Sequence, residues 1–214
     1  MRTISLHQVV PQVFAQSENL VSDVWQTEAV FHKGSSYLVE AASGKGKSTF
    51  CSYLLGYRHD YSGRICFDQE DIRQYDIAQW VDQRQRHISM LFQEMRLFPE
   101  LTAWENIAIK NRLTGLFDQS TIEVWFDKLG ITEKIGQKAA LLSQGQQQRV
   151  AFIRSLVQPF DFLIVDEPIS HLDDRNAELM AEIVMQVQTT TGCGVICTSI
   201  GKQLPLKYDY TLNL

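Results

Sequence analysis

Three stretches of this chain hold residues whose types and spacing suit phosphate chemistry. In VEAASGKGKSTF, residues 39–50, Gly46, Lys47 and Ser48 complete the phosphate-loop pattern G-x-x-x-x-G-K-[ST], while Ala41 stands where its first glycine belongs. Gly44 and Gly46 let backbone N–H groups wrap an anion closely. Lys47 would reach the β- and γ-phosphates, and the Ser48 hydroxyl would ligate Mg²⁺. Ala41 falls at a strand end, where an extended conformation serves; were positive φ required, alanine would cost about 1 kcal/mol. The competing reading is a plain turn before a helix.

The second stretch, FDFLIVDEP, ends an apolar run in Asp166 and Glu167. Two carboxylates at the carboxyl edge of a sheet lie where α/β proteins bind ligands. Asp166 would hold Mg²⁺ through water, and Glu167 would orient or deprotonate an attacking water. The alternative is a strand followed by an acidic turn. The third stretch is LLSQGQQQRVAFIRSL. Ser143 suits a helix N-cap, with Gln146 three residues on as its capping-box partner. It reads either as a simple capped helix or as a second anion-facing helix tip, formed by Ser143 and the Gly145 amide.

These stretches need strands and helices around them. ISLHQV and VWQTEAVF read as strands, with a turn at KGSS, and SSYLVEA as a strand running into the loop at 41–48. KSTFCSYLLG reads as a helix with Gly56 at its C-terminal end. IEVWFDKLG puts Ile122, Trp125, Phe126 and Leu129 on one helical face. NAELMAEIVMQVQ does the same with Leu179, Ile183 and Val187. DFLIVDEP suits a buried parallel strand, and GVICTS and DYTLNL closing strands. Alternating strands and helices predict an α/β fold.

At 214 residues the chain is long enough for one domain with a large core. A net charge of −5 offers nucleic acid no general attraction. MRTISLHQVV lacks a signal-peptide core, and no apolar run approaches a bilayer span, so a cytoplasmic chain is expected, with any membrane role exercised through a partner. Cys51, Cys66, Cys193 and Cys197 fit that compartment and read as buried small residues rather than metal ligands.

In order, AASGKGKST, LFQEMRLFPELTAWENI, LSQGQQQRVAFIRSL, FLIVDEP and SHLD resemble the motifs of the ATP-binding cassette (ABC) ATPases, covering residues 41 to about 173. LSQGQ departs from the family's usual LSGGQ at Gln144 but keeps Gly145. The resemblance implies a P-loop NTPase fold with an antiparallel β subdomain and a helical subdomain at roughly 94–158, the whole of 1–214 being one ATPase domain. It implies ATP and Mg²⁺ as ligands, and two cassettes arranged head to tail, as a homodimer or with a paired ABC subunit.

Carried over by motif, Ala41, Ala42, Ser43, Gly44, Lys45, Gly46, Lys47, Ser48 and Thr49 would hold the triphosphate. Ser143, Gly145 and Gln146 of the other copy would cap its γ-phosphate. Gln93 would join Mg²⁺ and the attacking water to a membrane subunit, and Asp173 would cross the dimer interface. Phe14 is the candidate for adenine stacking, or else ordinary strand packing. Met95, Leu97 and Phe98 are candidates to receive a helix of the membrane protein, or else core.

The resemblance also implies a histidine after the next strand, contacting the γ-phosphate. Ser199 or Ile200 stands there instead, and no histidine follows His171, which sits too early, inside SHLD, as a surface or interface turn residue. Slow turnover is therefore expected. The leading functional expectation is the ATPase subunit of a transporter, peripheral on the cytoplasmic face of the cell membrane beside an integral permease. A mechanical or regulatory ATP switch acting on a membrane protein comes second. A soluble ABC protein working on nucleic acid or ribosomes comes third, disfavoured by the single cassette and the acidic charge.

Overall fold

The computed structural model describes residues 1–16, 20–42, 44–168 and 173–214. The chain opens with strands β1 (Thr3–Pro11), β2 (Glu28–His32) and β3 (Ser36–Glu40), followed by helix α1 (Lys47–Leu54) and strands β4 (Tyr61–Phe67) and β5 (Glu70–Asp71). Helix α2 (Ile77–Asp82) leads through a π-helical turn, Gln83–His87, into β6 (Ile88–Leu91). Three helices come next, α3 (Ala103–Asn111), α4 (Gln119–Lys128) and α5 (Gln144–Leu156). Strand β7 (Phe162–Asp166), helix α6 (Asp174–Thr191) and strands β8 (Gly194–Ser199) and β9 (Tyr210–Asn213) close the chain.

Two sheets result. One is antiparallel, in the order β2-β1-β4-β5, and the other parallel, in the order β6-β7-β8-β3-β9. The parallel strands read as continuous apolar runs because both faces are covered. FLIVD of β7 is buried throughout, as is GVICTS of β8. In this register Val39 pairs with Thr198, and Asp166 also pairs with Thr198, so β3, β8 and β7 end level with one another.

The expected strand VWQTEAVF is shorter than its apolar content suggests. Gln26 takes φ 57°, and Val24 and Trp25 turn into the core before β2 begins at Glu28. Trp25 meets Phe50 and Tyr53 edge-on, so the tryptophan serves the α1 core rather than a sheet face. That core joins the antiparallel sheet to α1. A second core gathers α3 to α6 against β7 and β8. It holds Ile122, Trp125, Phe126 and Leu129 as the periodicity predicts, along with Ile183, while Leu179 and Val187 pack at its margin. All four cysteines are buried and free, Cys197 within β8 and Cys193 just before it.

Candidate functional site

The link from β3 to α1 turns on two left-handed glycines, Gly44 at φ 79° and Gly46 at φ 102°. Ala41 needs no positive φ, and its N–H donates to the Ser199 carbonyl at 3.1 Å, extending β3 toward β8. The alternative cost of strain at that position does not arise. Ser43 lies outside the described residues. The side chain of Lys47 folds back under the loop, its ammonium donating to the carbonyls of Ala41 at 3.0 Å and Ala42 at 3.3 Å. It also lies 3.5 Å from Glu167 Oε1. Lys47 is buried, so it presents its charge from inside the loop.

Opposite the loop, Gln93 Nε2 donates to Glu167 Oε2 at 3.1 Å. Glu167 takes φ 46°, a left-handed conformation unusual for a glutamate, and its N–H donates to the Thr198 carbonyl at 3.2 Å. Such strain persists only where surrounding bonds over-determine it, and it concentrates at functional sites. A cleft of about 420 Å³ opens between these groups, lined by Phe14, Gly46, Lys47, Ser48, Gln93, Glu167 and neighbours. A triphosphate in this cleft would lie at the N-terminus of α1, among free N–H groups and the positive end of the helix dipole.

Asp166 lies behind the cleft, 5% exposed, accepting a hydrogen bond from the Thr198 hydroxyl. Burial pushes its carboxyl above the usual range, with Glu167 and Glu94 adding to the effect. The Thr198 hydroxyl and the Lys47 charge act in the opposite direction. Ser48, Asp166 and Gln93 supply hard oxygen donors, and among the described residues no three His, Cys, Asp or Glu side chains form a cage of their own. This suits Mg²⁺, which takes most of its ligands from phosphate and water.

Phe14 ends a short 3₁₀ turn after β1 and lines the cleft, its ring edge set against Gly46. Ala41, Ala42 and Lys45 instead line an adjoining hollow of about 300 Å³ with Ser199 and Ile200. The Thr49 hydroxyl accepts from Arg58 at 3.2 Å, so its bond is made within the chain. Ser143 caps α5 as expected, with Gln146 N–H donating to its hydroxyl at 3.3 Å and its own N–H donating to Gln146 Oε1 at 3.0 Å. No residue from Ser143 to Gln146 lines the cleft of the same chain. Asp173 caps α6 through Asn176; His171 lies outside the described residues.

Met95 and Leu97 pack against the second core, leaving Phe98 exposed. Ile200 stands at the cleft, half exposed, whereas the Ser199 hydroxyl is committed to Lys202 O at 2.8 Å and Gly201 N at 2.9 Å. One residue escaped the sequence reading. Arg154, on α5, donates to the carbonyls of Met95 at 2.6 Å and Arg96 at 2.8 Å, two residues with positive φ just after Gln93. Burial lowers this guanidinium to about 10. The only sequence signal was an arginine at the apolar end of an amphipathic helix.

The family model "ABC transporter" matches residues 27–170. The Escherichia coli K12 protein YbbA, described as an uncharacterized ABC transporter ATP-binding protein, is 27% identical over 99% of this chain and 93% of its own length. The lipoprotein-releasing system ATP-binding protein LolD of Shewanella oneidensis is 26% identical over 85% of this chain and 80% of its own. Among solved structures, the ATP-binding cassette MJ0796, in a dimeric post-hydrolysis state bound to ADP and Pi, superposes with a TM-score of 0.75. It is 23% identical, covering 92% of this chain and 87% of that one.

Proposed function

Since this chain belongs to the ABC transporter family, as one of its ATPase cassettes, we propose that it is the ATP-binding and ATP-hydrolysing subunit of an ABC transporter. In this reading two cassettes close head to tail on ATP, reopen after hydrolysis, and so drive an integral membrane partner from its cytoplasmic face. No described helix is long and apolar enough to cross a membrane, so the membrane is reached through that partner.

The observation that carries the proposal is the split site. Lys47, Ser48, Gln93 and Glu167 converge on one cleft, while the capped tip of α5 at Ser143 serves none of it. An exposed helix tip with an anion-facing N-terminus finds its phosphate only on another copy. In each half, Gly44, Gly46, Lys47 and Ser48 wrap the triphosphate and Phe14 stacks on the base. Ser143, Gly145 and Gln146 close over the γ-phosphate from the other side, and Asp173 crosses beside them. Ser48, Asp166 and Gln93 would hold Mg²⁺, which would supply neutralising charge to the phosphates.

The triphosphate draws Lys47 away from Glu167, which frees that carboxylate to accept a proton from the attacking water. Gln93 orients Glu167 and, through the Arg154-pinned loop, reports to the helical region at 94–158. The test has two arms. Lys47→Ala should weaken Mg-ATP binding by about tenfold or more, and Glu167→Gln should run as a dimer on gel filtration in saturating Mg-ATP. Unchanged affinity in the first, or a monomer in the second, rejects the proposal.

A second reading, a mechanical or regulatory switch without transport, is favoured by Ile200, which lines the cleft where the resemblance implies a histidine and whose side chain offers no hydrogen bond. Substrate flux in vesicles reconstituted with the membrane partner separates the two.

A further inference from the structure

Thr49, the third residue of α1, lines the nucleotide cleft, yet its hydroxyl is engaged from a residue outside that cleft. Arg58, in the loop between α1 and β4, donates from Nη1 to Thr49 Oγ1 at 3.2 Å. A hydroxyl has one hydrogen to give as well as two lone pairs to receive with. In a helix that hydrogen can go to the carbonyl four residues back. One turn later it does so, where Ser52 Oγ donates to the Ser48 carbonyl at 2.6 Å. Thr49 makes no such bond. Among the described residues its hydroxyl accepts from Arg58 and donates to nothing. The residue is 9% exposed, and the cleft is the space it lines.

Arg58 is itself on a fixed mount. Its Nε donates to Asp60 Oδ1 at 2.9 Å and its Nη2 to Asp60 Oδ2, a two-bond fork. Those bonds hold the Asp60 carboxyl below the usual carboxylate range, so the pair is ionised at neutral pH. The Asp60 carbonyl accepts in turn from the Gln12 N–H and from the Tyr53 hydroxyl, each at 2.9 Å. Gln12 opens the short turn that ends in Phe14. One loop therefore braces both the aromatic wall of the cleft and its phosphate helix.

We infer that Arg58 is a positioning residue for the nucleotide: by donating to Thr49 Oγ1 it occupies a lone pair of that hydroxyl and turns its hydrogen toward a phosphate oxygen in the cleft. A hydroxyl that accepts from a cation is also the better donor, because hydrogen bonds in a chain polarise one another. Arg58 does not line the cleft and acts at one remove, through Thr49. This rests on the reading of the cleft as an ATP site and adds the residue that sets one of its donors.

The test is a double-variant cycle on the full chain, read as Mg-ATP affinity by titration calorimetry, with urea midpoints taken on the same samples. Arg58→Met should weaken Mg-ATP binding about fivefold, and Thr49→Val about tenfold, each the worth of one hydrogen bond. With valine at position 49, Arg58→Met should weaken binding no further. With serine there, where a hydroxyl remains, it should again cost about fivefold. Arg58→Gln, too short to bridge Asp60 and Thr49, should repeat the pattern. The urea midpoint, which also reads the lost bonds to Asp60, should fall for Arg58→Met in every background, so loss of stability and loss of orientation separate. Unchanged affinity in Arg58→Met overturns the inference. So does an equal loss with and without the hydroxyl, which would make Arg58 a brace for the fold alone. Lys47→Ala, run alongside, keeps the two readings apart. If it weakens Mg-ATP binding and Arg58→Met does not, this inference fails by itself; if Lys47→Ala leaves affinity unchanged, the ATP-site reading fails.

Discussion

Ile200 and Ser199 stand where the family resemblance places a histidine, and slow turnover is the expectation that follows. Ile200 lines the cleft with a side chain that neither donates nor accepts, and its neighbour Ser199 has its hydroxyl tied within the turn. A preorganised hydrogen bond to developing charge is worth about 10²–10³ in rate, so Ile200→His should raise steady-state ATP turnover by at least about tenfold. Ile200→Gln, polar but unable to act as an imidazole, should raise it less. If neither variant is faster than wild type, the slow-engine reading is wrong. Lys110 carries a different single-residue prediction. Burial pushes its pKa down to about 7 in the folded chain, below that of an unfolded lysine, so the neutral form is favoured on folding. The resulting penalty is absent above about pH 10.4, grows as pH falls, and is complete below about 7. Lys110→Met should therefore stabilise the isolated subunit by about 1–3 kcal/mol at pH 7, a gain that shrinks toward zero as pH approaches 10 in thermal melts.

The loop between β3 and α1 shows how much an element can ask of a glycine. A side chain at Gly46 would meet the Phe14 ring at 3.0 Å from a φ of +102°, whereas at Gly44 it would meet nothing within 4 Å. Gly44→Ala should cost only the backbone strain, about 1 kcal/mol. Gly46→Ala should cost more and also move Phe14, lowering ATP affinity more than Gly44→Ala does; equal losses in both stability and affinity would show that Phe14 is not seated on the loop. Much of this element was legible. A glycine-lysine turn between an apolar strand and a helix has few conformations, Ser143 and Gln146 spelled out their capping box, and β7 declared itself through an unbroken apolar run. Other features were hidden because they depend on contacts distant in sequence. The burial of Trp25 ends a strand that composition alone would extend. The left-handed Glu167 is fixed by the Thr198 carbonyl, thirty-odd residues further along the chain. The grip of Arg154 on the loop after Gln93 spans 58 residues, and nothing local in either stretch announces it.

At the scale of the molecule, two sheets of opposite character must be held so that β1, with Phe14 just beyond it, lies over the loop that follows β3. Asp161, immediately before β7, is the polar tie between them. Its carboxylate takes the Lys33 ammonium from the β2–β3 turn, the Met1 amine at 2.7 Å beside β1, and His87 Nδ1 at 2.5 Å at the entrance to β6. Burial alone would raise its pKa, but the bonds from Lys33, the amine and His87 together outweigh that and hold it at about 2. A carboxyl depressed on folding contributes stability that is fully present above its unfolded value near 3.9 and is lost as pH falls toward 2. Asp161→Asn should therefore destabilise the protein by about 2 kcal/mol at pH 7. In urea titrations the gap from wild type should stay flat down to about pH 5 and close as pH approaches 2. A gap that persists unchanged at pH 2 would mean that Asp161 acts by shape rather than charge, and the two sheets would then be held together by their apolar core alone.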